Sequence, residues 1–186
     1  SNLQNDKKEL HSVLEQKKMI HHESEILKRN QDPTTAGTDG SYSVDRLLAS
    51  NYIAMGAVAV EGLPPKLKDP IWPRPRHFVK LMPLPHDDGN ITLAQAIMLS
   101  MEIQLAGHAP HDVVLLDNSI SGMIIGFNKA FDSDGSKELY NYFIDGDKSK
   151  IQNNNVRFEG LKKTLEIFKE VLSAERTDKI RVFLPK

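Results

Sequence analysis

Thr92-Leu-Ala-Gln-Ala-Ile-Met-Leu-Ser-Met-Glu102-Ile-Gln-Leu-Ala-Gly107, followed shortly by Asp112-Val-Val-Leu-Leu-Asp117, is the stretch on which the fold turns. Thr92 and Gln95 have the spacing of a capping box, the residues to Ala106 are strong helix formers, and Gly107 is a natural stop. The helix is apolar nearly all round, which predicts burial rather than a surface position. The short run of branched residues after it reads as a strand covered on its faces, the pattern of a parallel sheet. Glu102 is the only charged residue between Ile91 and Gly107.

Upstream of this helix the period is that of strands. Ala36–Ser43 carries glycines on either side of Asp39. Ile53–Val60 is a run of small and branched apolar residues, which predicts a central strand. Residues 61–76 hold Pro64, Pro65, Pro70, Pro73 and Pro75, too many for a hydrogen-bonded ladder, and read as a connection. His77–Leu84 gives a third strand. Three strands with no helix between them predict an antiparallel meander.

Downstream, Ser119 caps a helix carrying Ile120, Met123, Ile124, Phe127 and Phe131 at helical spacing. Residues 132–156 are polar and rich in Asp, Asn, Gly and Ser, and read as a loop. Within them Asp132-Ser-Asp134-Gly135 lacks the third acid and the Glu of a calcium loop. Arg157–Ala174 reads as an amphipathic helix with Phe158, Leu161, Leu165, Phe168 and Leu172 on one stripe, and Ile180–Leu184 as a closing strand. At the other end, residues 3–30 read as one long, sparsely apolar helix that ends before Pro33. The expected organisation is an N-terminal helix and linker over 1–33 and an α/β domain over 34–186. Its mixed sheet, in the order β-β-β-α-β-α-β, is flanked by helices.

Composition narrows the function. The 186 residues carry 24 basic and 25 acidic side chains, a net charge of −1, so a strongly basic nucleic-acid-coating protein is excluded. There are no cysteines, which removes disulfide frameworks, thiolate metal sites and cysteine nucleophiles. No run approaches the ~18–20 apolar residues of a membrane span and no secretory signal opens the chain, so a soluble, cytoplasmic protein is expected. Ser1-Asn2 in place of an initiating Met suggests a piece of a longer protein.

Three acids carry the chemistry. Glu102 sits in a helix expected to be buried, where a carboxylate needs a cation, a metal or strong donors. Asp117 ends a buried strand at its carboxyl edge, where α/β folds place ligand groups. Asp39 lies among small residues that let a ligand approach the backbone. Each alone has a plain structural alternative: a salt bridge for Glu102, a turn or cap for Asp117, a turn dipeptide for Asp39-Gly40. Together, the strand order predicts that they converge on one edge of the sheet. Converging carboxylates repel unless cations neutralise them, and hard oxygen donors select Mg²⁺ or Mn²⁺. Two such ions, ~3.5–4 Å apart, are the usual apparatus of phosphodiester hydrolysis.

These residues resemble a known family. Gly37-Thr-Asp39-Gly-Ser-Tyr42, Ser100-Met-Glu102-Ile-Gln-Leu105 and Val113-Val-Leu-Leu-Asp117-Asn-Ser119 are similar to motifs of the NurA nucleases, in the ribonuclease H-like superfamily. The resemblance runs from about Thr34 to Lys186, and it rests on the order and spacing of short motifs. It implies a Mn²⁺- or Mg²⁺-dependent DNA nuclease with 5′–3′ exonuclease and single-strand endonuclease activity. Asp39, Glu102 and Asp117 would be its metal-binding catalytic acids. It further implies a role in end resection and double-strand break repair, a homodimer, and a HerA-type hexameric translocase as partner. Asn118 departs from the Gly that often follows the last strand Asp. A further catalytic residue of the family would fall beyond Lys186, so the nuclease domain is expected to be incomplete.

A DNA-binding surface is expected where Arg74, Arg76 and Lys80 cluster with Trp72, since cations interleaved with aromatics suit a single strand. Two other readings remain open. One is a non-catalytic, nuclease-like adaptor for a translocase; the other is an actin-like ATPase half-domain, in which the glycine-rich first hairpin would cradle phosphate.

Overall fold

The computed structural model describes residues 11–14, 16, 33–62, 69–72, 76–148, 157–172 and 180–183. The chain separates into two compact units, Ser1–Asp32 and Pro33–Lys186. In the first, His11–Leu14 and Gln16 are helical; the rest of the helix expected over 3–30 lies outside the described residues.

The second unit is built on a five-stranded mixed sheet of order β3-β2-β1-β4-β5. β1 (Thr35–Arg46) and β2 (Asn51–Gly62) pair antiparallel over their full length, from Thr35↔Gly62 to Arg46↔Asn51. β3 (Arg76–Leu84) continues the meander against β2, from Ala59↔Arg76 to Asn51↔Leu84. Past the helix, β4 (Val113–Leu116) returns on the other side of β1 and runs parallel to it, from Thr35↔Val113 to Thr38↔Leu116. β5 (Ile180–Phe183) pairs parallel with β4. The expected meander and parallel strand are both present.

The intervening helix, α1 (Gly89–His108), packs on β1, β2, β3 and β4. On its far side it meets α2 (Ile120–Phe131), α3 (Lys137–Asp145) and α4 (Gly160–Leu172). Sandwiched between sheet and outer helices, it buries every residue from Ala96 to Ala106. That position is the physical reason for its uniformly apolar composition.

Its ends differ from the expected ones. The helix begins a turn before Thr92, at Gly89, because Asp87 Oδ1 accepts the Gly89 N–H at 2.8 Å and buried Asn90 is tied down. The Asn90 amide donates to Pro85 O at 3.1 Å, and its Oδ1 accepts from Ser136 N at 2.8 Å. Nor is Gly107 the stop. The helix runs one residue further, and a Cβ at Gly107 would collide with the side chain of Ile167 on α4. Glycine there permits the close approach of two helices.

Two further corrections concern the C-terminal half. Residues 137–145 form a helix inside the stretch expected to be a loop, with Ser136 Oγ accepting from Leu139 N at 3.4 Å and with Leu139, Tyr142 and Phe143 buried. α4 starts at Gly160, where φ is +75°, rather than at Arg157. Phe158 is buried ahead of the helix, and Leu165 is exposed. The buried face of α4 instead runs through Leu161, Thr164, Ile167 and Phe168. Ser119 caps α2 as expected, accepting from Gly122 N at 3.1 Å.

Candidate functional site

The parallel ladder between β1 and β4 ends at Thr38↔Leu116. The next residue of each strand is an aspartate, Asp39 and Asp117. Hydrogen-bonded strands lie ~4.8 Å apart, so the two acids leave the carboxyl end of the ladder as neighbours. Asp39 is exposed and Asp117 half-buried. The Thr38 hydroxyl donates to Leu115 O at 3.4 Å across the same ladder.

Glu102 reaches this edge from α1, 1% exposed. Its carboxylate lies between the residues that follow the two aspartates. On one side is Gly40, where an added Cβ would stand 2.8 Å from Glu102 Oε1 and 2.7 Å from Met98 Cγ. Any side chain at 40 would displace the acid or Met98. On the other side the Asn118 amide donates to Glu102 Oε2 at 2.8 Å. Helix, first strand and fourth strand thus meet at one carboxylate.

Among the described residues, no group of three or more His, Asp or Glu side chains stands arranged to hold a metal ion. Asp39 falls on the open pleat beside Val58, whereas Glu102 comes from α1 on the covered side, so the three side chains are not gathered into one cage. The donor set consists of carboxylate oxygens, the chemistry suited to Mg²⁺ or Mn²⁺.

The chain is similar to NurA. Among solved structures, a NurA with manganese matches at TM-score 0.39 and 16% identity, over 66% of this chain and 30% of that one. A NurA bound to dAMP and manganese matches at TM-score 0.37 and 18% identity, over 61% of this chain and 26% of that one. The NurA nuclease from Sulfolobus solfataricus matches at TM-score 0.36 and 17% identity, over 64% and 37%. This chain therefore spans well under half the length of those proteins. No protein-family model and no curated protein sequence matches it. Superpositions this loose carry no residue-by-residue correspondence, and the site stands on its own geometry.

Of the residues expected to contact DNA, Trp72, Arg76 and Lys80 are described. Arg74 lies outside the described residues. Arg76 and Lys80 lie on β3, separated from β1 by β2. They share the pleat of buried Phe78 and Met82, which faces α1, and are half-buried. The Lys80 ammonium stands 4.7 Å over the Tyr142 ring and 3.4 Å from Asp147 Oδ1. Burial, with Asp147 beside it, pushes the Tyr142 phenol well above its ordinary range. The Trp72 ring meets His111 edge-on at 5.2 Å, with the Arg76 guanidinium 5.8 Å above it. Trp72, Arg76 and Lys80 are all half-buried.

Two groups were invisible in the sequence. One is the pair Gly40 and Asn118, on β1 and in the bend after β4, which flank Glu102. The other is a carboxylate–imidazole hydrogen bond at the opposite end of the sheet, where Glu61 Oε1 accepts from His111 Nε2 at 2.9 Å. The same carboxylate accepts the backbone amides of Ile71 at 2.6 Å and Trp72 at 3.1 Å. Burial alone would raise the Glu61 pKa. The His111 hydrogen bond, the two amides and the His111 charge outweigh it and hold the pKa below its ordinary value.

Proposed function

We propose that this chain carries the metal-binding half of a ribonuclease H-like, divalent-metal-dependent DNA nuclease domain related to NurA. The observation that supports it best is the seating of Glu102 between Gly40 and Asn118, the residues that follow Asp39 and Asp117. A carboxylate that deep in an apolar helix, beside the end of the β1–β4 ladder where each chain continues into an aspartate, calls for compensating charge or donors. Asp39, Glu102 and Asp117 would hold Mn²⁺ or Mg²⁺. Bound there, such ions supply an activated water and stabilise the leaving oxygen of a phosphodiester. The chain's own part is to keep three hard anionic donors on one rigid edge.

The finer reading follows the family resemblance. It comprises 5′–3′ exonuclease and single-strand endonuclease activity, a homodimer, a HerA-type translocase as partner, and a role in DNA end resection. The separation of the three side chains favours one second reading, a nuclease-like adaptor that keeps the acids without cleaving.

End-labelled single- and double-stranded DNA incubated with the protein and Mn²⁺ or Mg²⁺ separates the two. Cleavage is expected with the wild type and none with Asp39→Asn, Glu102→Gln or Asp117→Asn. An active Glu102→Gln variant sinks the nuclease assignment. A folded wild type that neither binds Mn²⁺ nor cleaves leaves the adaptor.

A further inference from the structure

We propose that the open face of the sheet is a docking surface for a partner helix that carries an apolar stripe and a basic flank. α1 covers one pleat of β2 and β3, and the other pleat stays open. On it Tyr52, Val58 and Val60 of β2, Val79 and Leu81 of β3 and Leu115 of β4 are all exposed. The strand registers join them into one patch. Val79 and Leu81 pair with Gly56 and Ala54, Tyr52 pairs with Pro83, and Val60 and Leu115 flank Gly37 from either side. Apolar side chains scattered singly on a surface are ordinary, whereas a contiguous field of them marks an interaction site.

The patch has the form of a shallow trough. Ala54 and Gly56 of β2 pair with Ser43 and Ser41 of β1, so small residues floor its middle. Val79 and Leu81 wall it on the β3 side, and Val58 and Tyr52 stand at its two ends. On the β1 side the border is acidic, with exposed Asp39 opposite Val58 and exposed Asp45 opposite Tyr52. Among the described residues of β1 to β5, this pleat carries no Lys or Arg; Arg76 and Lys80 belong to the covered one. Charge selects the occupant. A nucleic-acid backbone needs Lys or Arg and finds none on these strands. A second copy of the same face brings the same acids and no cation to meet them. A helix with apolar residues at i, i+3, i+4 and i+7 fills the trough, and Lys or Arg along one flank meets Asp39 and Asp45.

The probe is a labelled synthetic helical peptide with Leu at i, i+3, i+4 and i+7 and Lys along one flank, beside a twin with Glu in place of Lys. Fluorescence anisotropy of each is titrated with the full chain and with Val79→Lys, Leu81→Lys and Ile125→Lys, all checked for folding by circular dichroism. Ile125 is exposed on α2, away from the sheet, and controls for adhesion to any apolar spot. Saturable binding of the Lys peptide is expected from the wild type and from Ile125→Lys. Val79→Lys and Leu81→Lys should each bind it at least ~10-fold more weakly. The Glu peptide should bind the wild type at least ~10-fold more weakly than its Lys twin. Absence of saturable binding, equal binding of the two peptides, wild-type affinity in both sheet variants, or an equal loss in Ile125→Lys overturns the proposal. So does a wild-type dimer in sedimentation that Val79→Lys turns into a monomer, which gives the face to a second copy instead.

Discussion

Glu102 shows how far a single residue can be read from sequence. One charge in an otherwise apolar helix marks itself, and the structure buries it at the edge where Asp39 and Asp117 emerge. What holds it was not legible. Asn118 is sixteen residues away along the chain and Gly40 lies on a different strand, so their meeting exists only once the parallel ladder has formed. Glu61 is the same case, a carboxylate among prolines that turns out to clamp His111 and two backbone amides. Because that network lowers its pKa in the folded state, the unfolded chain takes up the proton first as pH falls. Its contribution is complete above the ordinary carboxylate value of about 4.3 and is lost as pH drops through the lower folded value. Glu61→Gln should cost about 1–3 kcal/mol at neutral pH, the size of hydrogen bonds to a buried charge. In urea unfolding, that deficit should shrink as pH falls below about 4. A deficit that stays the same at pH 3 and pH 7 contradicts the clamp.

At the scale of elements, the strands and α1 were legible because their apolar patterns are long and continuous. α3 was not. Nine residues with three buried side chains, set in a run of Asp, Asn and Ser, resemble a loop until Phe143 and Tyr142 find Phe127 and Phe158. α4 was legible as a helix but not in its rotation, because a polar residue fixes its inner face. Buried Gln104 of α1 donates to Gly160 O at 3.0 Å and Thr164 Oγ1 at 2.9 Å, and accepts from Glu159 N at 3.1 Å. This three-pointed contact pins the first turn of α4 against α1 and turns Leu165 outward. Replacing Gln104 with Ala leaves a buried amide, a carbonyl and a hydroxyl to find other partners and opens a void between the helices. A loss of about 2–4 kcal/mol is expected by urea unfolding, well above the cost of an ordinary surface change. A loss under about 0.5 kcal/mol means that α4 is seated by its apolar face alone.

At the scale of the whole domain, the described helices stack on one face of the sheet. Ile53–Val60 is apolar on both pleats and read as a central strand; it lies between β3 and β1, with one pleat covered. Ile53, Met55, Ala57 and Ala59 lie under α1, while Tyr52, Val58 and Val60 of the same strand are exposed. β3 follows suit: Phe78 and Met82 are buried, and Val79 and Leu81 between them are 66% and 57% exposed. An apolar residue on a strand reports only that it tolerates a sheet, and which face is covered depends on where the helices go. Here α1 and its three neighbours stack on a single side, which also sets Arg76 and Lys80, both half-buried, on the helix-facing pleat. Adjacent residues of β3 should therefore respond oppositely to substitution. Phe78→Ala removes a ring packed 6.2 Å from Phe158 and should cost about 3–5 kcal/mol. Val79→Lys, one residue along, changes a side chain on the open pleat and should stay within about 0.5 kcal/mol of the wild type. Chemical denaturation of the two variants measures the asymmetry directly. A Val79→Lys loss comparable to that of Phe78→Ala contradicts the one-sided sheet, because a buried ammonium costs that much only when something covers it.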